Sequence, residues 1–100
     1  MTKKMTRSTG NVFEDIGFSP EEAENLKVRA TLMASIREII EKNNFTQEHA
    51  ADLLGVSQPR VSDLVRGKIE LFSIDALVNM LAAAGHQVKV SVGRGRHRAA

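Results

Sequence analysis

Apolar residues between positions 46 and 55 repeat with the period of a short helix. Ala50, Leu53 and Leu54 have the i, i+3, i+4 spacing that places side chains on one helical face. Thr46 precedes them as a suitable N-cap, and Gly55 follows them as a residue that readily adopts the left-handed conformation of a helix end. The pattern predicts a short helix that begins after Thr46 and ends at Gly55.

A second short helix is predicted directly after the first. Ser57 can act as its N-cap, and Pro59 fits a first turn because the N–H groups there have no intrahelical partner. Gly67 can close it as Gly55 closes the first helix. On a helical wheel at roughly 100° per residue, three apolar residues fall in one arc that we expect to be buried. They are Val61, Leu64 and Val65.

The other side of this second helix is polar. Opposite the apolar arc lie Pro59, Ser62, Asp63 and Arg66, and on its two shoulders lie Gln58 and Arg60. Such groups can bond to base edges or phosphates of DNA, although the solvated side of any amphipathic helix has a similar composition. Two helices joined by a glycine-containing turn of about three to four residues form a helix-turn-helix. The combination favours DNA binding over an ordinary surface helix.

The N-terminal region divides into two parts. Residues 1–10 are polar, basic and without periodicity, which predicts a disordered arm. Residues 11–18 contain four apolar side chains, too many for a free tail and too few for a core. These are Val12, Phe13, Ile16 and Phe18. We expect the segment either to dock on the following helix or to bind a partner protein, and the sequence favours neither.

A long helix is predicted from Pro20 to about Asn43. Ser19, Pro20 and Glu22 form a capping box with proline at the first helical position. Two apolar stripes run along the helix: Leu26, Ala30, Met33, Ile36 and Ile40 form one, and Val28, Leu32 and Ile39 form the other. One stripe suffices for packing against a core. The second therefore predicts that another flank is covered by the N-terminal segment, a second subunit or a partner protein.

The C-terminal third predicts one further helix and one strand. After a loop at residues 68–72, Ser73 caps a helix with apolar residues at core spacing. Residues 86–92 then alternate with a period of two. The apolar face of this strand consists of Val88, Val90 and Val92. Because a lone strand in a helical domain has no partner within the chain, we expect it to pair with the same strand of a second copy.

Together these elements predict an all-α domain of about four to five helices with a C-terminal β-strand that pairs across a dimer. The expected regions are 1–18 for the arm and apolar docking segment, 19–85 for the helix-turn-helix domain, 86–92 for the dimerisation strand and 93–100 for a basic flexible tail. One hundred residues suffice for one such domain with a single core.

Composition narrows the class of function. The chain has no cysteine, tryptophan or tyrosine, so it has neither a disulfide framework nor a thiol nucleophile, and a reducing, cytoplasmic setting fits. No apolar run reaches the roughly 18 residues of a membrane span, and no apolar secretion segment follows the basic N-terminus. The histidines His49, His86 and His97 lack second ligands at metal-binding spacing, and no glycine-rich phosphate loop occurs. We expect no membrane association, no enzyme activity and no metal or cofactor.

Charge is distributed unevenly along the chain. Between residues 11 and 52 nine acids face four bases, which gives a net charge of −5. Residues 60–100 carry seven bases and three acids, which gives a net charge of +4. A basic half suits DNA and an acidic half suits a basic protein partner, although a solvated charged surface explains the same distribution.

The motif resembles that of the XRE family of phage-repressor-like regulators, TQxxxAxxxGVSxxxVSxLxxG. It is matched by Thr46-Gln47, Ala50 or Ala51, Gly55-Val56-Ser57, Val61-Ser62, Leu64 and Gly67. The resemblance covers about residues 30–85, and it implies a lambda-repressor-like fold with Gln47 at a DNA phosphate. Segments 58–62 and 11–18 are similar to those of small HigA-like antitoxins. That similarity implies neutralisation of a basic RelE/HigB-like ribonuclease.

Candidate DNA contacts follow from side-chain chemistry. Gln58 can bond adenine N6 and N7, Arg60 can bond guanine or a phosphate, and Ser62 can bond either kind of base edge. Asp63 would repel phosphates unless it accepts from cytosine N4 or pairs with Arg66 or Arg60. Arg66 and Lys68, at the end of the helix, are assigned to phosphates, as the resemblance implies. The full set of DNA-binding candidates is Gln47, Ser57, Gln58, Pro59, Arg60, Ser62, Asp63, Arg66 and Lys68.

The expected function is a sequence-specific transcriptional repressor that binds a palindromic DNA operator as a homodimer. As the resemblance implies, the protein is also expected to be the antitoxin of a small basic toxin and to regulate its own operon. Partner-binding candidates are Val12, Phe13, Ile16 and Phe18, and dimerisation candidates are Val88, Val90 and Val92. The alternative is a free-standing phage-type regulator without a toxin. A scaffold without DNA binding fits poorly, because the helix-turn-helix pattern would then have no use.

Overall fold

The computed structural model of the protein describes residues 11–94. Five α-helices follow one another in this part of the chain: α1 (Val12–Asp15), α2 (Pro20–Lys42), α3 (Gln47–Leu54), α4 (Gln58–Val65) and α5 (Ile74–Ala83). A 3-10 helix, Ile69–Leu71, lies between α4 and α5. The predicted all-α, helix-turn-helix fold is confirmed over these residues. The predicted disordered arm at 1–10, and residues 95–100 of the predicted tail, lie outside the described residues.

The predicted helix ends are confirmed by their hydrogen bonds. Thr46 Oγ1 accepts from the His49 N–H at 3.0 Å, and Ser57 Oγ accepts from the Arg60 N–H at 3.4 Å. Ser73 Oγ caps α5 in the same way, at 3.1 Å from the Ala76 nitrogen. A cap of this kind stabilises a helix by about 1 kcal/mol, so the three serve to fix where α3, α4 and α5 begin.

One buried core holds the helix-turn-helix together. Residues 28–89 form a compact unit, and the buried side chains within it come from α2, α3, α4, the loop before α5, and α5. They are Leu32, Met33, Ile36, Ile40, Ala50, Ala51, Leu54, Val61, Leu64, Phe72, Leu77, Met80 and Leu81. Since α3 and α4 both contribute to this core, the orientation of α4 is fixed by packing.

Two predictions about burial were wrong. Leu32 and Ile39, assigned to a second stripe of α2 that needed a partner, pack against the same core as the first stripe. In addition, Val65 is 37% exposed and is not buried with Val61 and Leu64. It is the last residue of α4 and lies about 70° from the midpoint of Val61 and Leu64 on the helical wheel, which places it at the edge of the core.

Residues 11–27 belong to a second compact unit, in which the apolar segment forms the unpredicted single-turn helix α1. The segment docks on the following helix, which is one of the two predicted alternatives. Asn11 caps the single turn of α1 by accepting from the Phe13 N–H at 3.0 Å, and its Nδ2 donates to the Ala23 carbonyl at 3.0 Å. The rings of Phe13 and Phe18 make an edge contact with centroids 6.3 Å apart. The segment is thus tied to the first turns of α2, yet Val12 and Ile16 are 62% and 67% exposed.

Residues 86–94 have no regular secondary structure in the described chain. Val88 packs against the core, whereas Val90 and Val92 are 81% and 93% exposed. The predicted strand would need the edge of a second chain for its hydrogen bonds, so pairing across a dimer remains a prediction. Between residues 11 and 94, no helix combines the length and the apolar character needed to cross a bilayer.

Candidate nucleic-acid interface

The turn between α3 and α4 is short and tightly bonded. Gly55 adopts a left-handed conformation with φ 72°, and the Val56 N–H donates to the Ala51 carbonyl at 3.0 Å. Ser57 then starts α4 two residues after the turn glycine. This geometry leaves α3 and α4 packed against each other and α3 packed against α5. Two helices joined in this way place the second one where it can enter the major groove of DNA.

The structure divides the predicted DNA-binding residues by exposure. The exposed ones are Gln47, Ser57, Gln58, Pro59 and Arg66, and the half-buried ones are Arg60, Ser62, Asp63 and Lys68. Gln58 is the first residue of α4, and Ser62 lies one turn further along the same side. Gln47 opens α3 at an end where backbone N–H groups have no intrahelical acceptor. The arrangement offers amide, hydroxyl and guanidinium groups along one side of the motif.

Arg60 was predicted to bind bases or phosphates, but in the structure it makes two contacts within the protein. Its Nη1 donates to the Leu71 carbonyl at 2.9 Å, and its Cζ lies 4.2 Å from the centre of the buried Phe72 ring. A second arginine holds the same loop, because Arg29 Nη1 donates to the carbonyls of Ile69 (3.3 Å) and Phe72 (3.4 Å). Arg60 therefore anchors α4 to the loop that follows it.

Asp63 pairs with Lys68 and with neither of its predicted partners. The predicted partners were Arg66 and Arg60, but Lys68 Nζ lies 3.7 Å from Asp63 Oδ1. The pairing follows from the end of α4. There the Gly67 N–H donates to the Leu64 carbonyl and the Lys68 N–H to the Asp63 carbonyl. This Schellman arrangement brings the residue after the glycine next to the residue five positions before it.

Within the described part of the chain, the remaining polar groups do not form a metal site. No three histidine, aspartate or glutamate side chains between residues 11 and 94 are grouped where they could hold a metal ion. The His49 ring contacts the Phe45 ring at a tilt of 36°, with centroids 4.4 Å apart, next to the Thr46 cap. His97, the third histidine considered, lies outside the described residues.

Comparison with known proteins agrees with this geometry. The family model described as a helix-turn-helix domain matches residues 12–93. A solved structure assigned to the XRE family of transcriptional regulators is 32% identical in sequence, with a TM-score of 0.68. The match covers 79% of this chain and 90% of that one. No protein with curated annotation matches the chain. The chain therefore belongs to the helix-turn-helix family of DNA-binding transcriptional regulators, and within it to the XRE type.

Proposed function

We propose that the protein is a repressor that binds a palindromic DNA operator as a homodimer and reads bases through α4. The observation that carries the proposal is the position of Gln58, an exposed amide at the first residue of a helix whose apolar side is fixed in the core. The N-terminal residues of a recognition helix are those that reach base edges in the major groove. An amide there pairs in a bidentate manner with adenine N6 and N7.

The other polar residues receive roles that fit their positions. Arg66 at the C-terminal end of α4 and Gln47 at the N-terminal end of α3 suit phosphates. Ser62 and Asp63 face the groove beyond Gln58, where a carboxylate can accept from cytosine N4. We assign Arg60 to positioning, since its bond to the Leu71 carbonyl holds the first turn of α4 in place.

Gln58→Ala should weaken binding to the operator by about 1–3 kcal/mol, because a bidentate amide–adenine pair contributes that much discrimination. The loss should be confined to operators with the matching base pair. Arg66→Ala is the matched control on the same helix. It should weaken binding to all duplexes alike and reduce the slope of log K against log salt by about one unit. Titration of labelled duplexes at several salt concentrations measures both effects. An equal loss for Gln58→Ala on every duplex would remove Gln58 from the base-reading residues.

The homodimer in this proposal is formed by residues 87–92. The exposure of Val90 and Val92 supports this dimer. Both are apolar, and in a strand they would lie on the same face as Val88, which packs against the core. Strand pairing across a two-fold axis would bury both valines and satisfy the backbone of the segment. Two α4 helices related by that axis would then read half-sites about one turn of DNA apart.

A second function, that of an antitoxin, is favoured by the surface of residues 12–18. Val12, Ile16 and Phe18 are exposed and lie next to the acidic residues Glu14 and Asp15, within a region of net charge −5. Apolar anchors with an acidic rim suit a small basic protein, such as a RelE/HigB-like ribonuclease. A free-standing regulator is equally consistent with the fold. An adjoining reading frame for a small basic protein would favour the antitoxin function.

The double variant Val12→Ser/Ile16→Ser should lose neutralisation of that basic protein, because it removes two exposed anchors from the binding surface. Melting temperature and operator binding should stay within error of the wild type. Val28→Ser, which changes another exposed valine, is the matched control and should neutralise normally. Growth on co-expression with the basic protein and thermal melts of the purified chain measure the outcome. A fall in melting temperature without loss of neutralisation would assign the segment to structure alone.

A further inference from the structure

We propose that Asp63 sets the discrimination between operator and non-operator DNA by holding Lys68 away from phosphates. The inference rests on the proposed DNA-binding function and adds a role for an acid on the recognition helix. In the free protein the carboxylate pairs with Lys68. On DNA, Lys68 leaves Asp63 and binds a phosphate only where a base donates a hydrogen bond to Asp63 in its place.

The pair is built into the end of α4. Gly67, with φ 76°, reverses the chain, and its N–H donates to the Leu64 carbonyl at 3.0 Å. The Lys68 N–H donates to the Asp63 carbonyl at 3.1 Å, and the two side chains then meet with Nζ 3.7 Å from Oδ1. Schellman arrangements usually place two apolar side chains in contact at this end of a helix. Here an ion pair lies at the equivalent turn, beside the surface assigned to DNA.

The neighbouring charges do not replace Lys68 as the partner of this carboxylate. Arg60 donates to the Leu71 carbonyl and lies over the Phe72 ring, on another side of α4. Arg66 is the exposed C-cap, and no ion pair joins it to Asp63 among the described residues. The side chains of Lys68 and Asp63 are only 39% and 26% exposed, so solvent screens the pair less than it screens a fully exposed one.

A carboxylate and a phosphate compete for the same ammonium group. On an arbitrary sequence, Asp63 meets base acceptors and phosphates, so it lowers affinity by withholding Lys68 and by repulsion. Where a cytosine faces it, the N4 amino group donates to the carboxylate and the penalty falls. The pair therefore lowers affinity for most DNA and leaves affinity for the correct operator high, which is how an unfavourable element creates specificity.

The test uses the full chain and two duplexes, an operator selected from a randomised pool and a duplex of unrelated sequence. Asp63→Asn should raise affinity for the unrelated duplex about tenfold and steepen its salt slope by about one unit, because one more cation becomes available to phosphates. The ratio of operator to unrelated affinity should fall by about the same factor or more. Asp75→Asn is the matched control, since it removes an equal charge from α5, and it should change neither quantity.

Lys68→Gln distinguishes pairing from repulsion alone. In that background the gain from Asp63→Asn should shrink to about twofold or less, because no ammonium remains to be released. An undiminished gain would overturn the role of the pair, as would an Asp63→Asn variant with unchanged discrimination. A wild-type chain that binds neither duplex would instead overturn the DNA-binding function, so the two failures are separable. Thermal melts of each variant exclude a fold defect as the cause.

Discussion

Leu64→Ala should lower the free energy of unfolding by about 2–5 kcal/mol, the range for removing a fully buried leucine from a core. Leu64 has no exposed surface and belongs to the cluster formed by α2, α3, α4 and α5. The cavity would lie on the core side of α4, opposite its DNA-reading side. We therefore expect the substitution to disturb the orientation of α4 as well as to lower the stability of the domain. Urea unfolding followed by circular dichroism measures the loss. For a domain of this size we expect the melting temperature to fall by about 4–8 °C per kcal/mol.

Val65→Ala is the control for this change. Val65 is the next residue of α4 and is 37% exposed, so its truncation creates little cavity. Because alanine is also the better helix former, the net loss should stay below about 1 kcal/mol. Equal losses at the two positions would mean that Val65 is buried in solution, through a second subunit or another partner.

Val90→Asp/Val92→Asp should convert the proposed dimer into a monomer and weaken operator binding by about 10²–10⁴-fold. Two linked reading helices gain that factor because the second half-site is bound within one complex. In the paired strands, the two new aspartate carboxylates would be buried without charged or hydrogen-bonding partners. That burial is strongly unfavourable and should prevent the strands from pairing. Mass measurement at micromolar concentration and titration of the palindromic duplex give the two outcomes.

Gln87→Asp/Ser91→Asp is the control, because it adds the same charge on the opposite face of the predicted strand. It should leave the mass at that of a dimer and reduce operator affinity only through added repulsion. If the valine variant also remained a dimer, the strand would not be the interface. The dimer contact would then lie elsewhere on the chain, and residues 87–92 would serve only to cover the core through Val88.

The fold could be predicted from the sequence wherever one residue determines the structure of its own neighbourhood. Thr46, Ser57 and Ser73 each bond an N–H group three residues ahead, so their effect is local and depends little on tertiary contacts. Gly55 and Gly67 similarly mark left-handed backbone at two helix ends. These positions alone fixed the bounds of α3 and α4 to within a residue.

The contacts of the candidate site were harder to predict, because their partners are distant in sequence or are backbone groups. Arg60 bonds a carbonyl 11 residues away, and Arg29 bonds carbonyls 40 and 43 residues away. No side-chain pattern marks a carbonyl acceptor. The Asp63–Lys68 pair is different, since Gly67 between them predicts the turn that joins them, and that signal was available in the sequence. The cap at Asn11 carried the same kind of local signal.

The anchoring of Arg60 has a consequence for transplanting specificity between related regulators. The groups that hold it, the Leu71 carbonyl and the Phe72 ring, lie beyond the C-terminal end of α4. A chimaera that receives residues 58–66 alone would carry the arginine into a scaffold without its aromatic support. Arg29 and Arg60 bond backbone carbonyls of the loop after α4, so these hydrogen bonds do not depend on which side chains stand at the acceptor positions. The stacking of Arg60 does require the ring of Phe72. The natural unit of exchange in this protein is therefore the segment from Gln58 to Phe72.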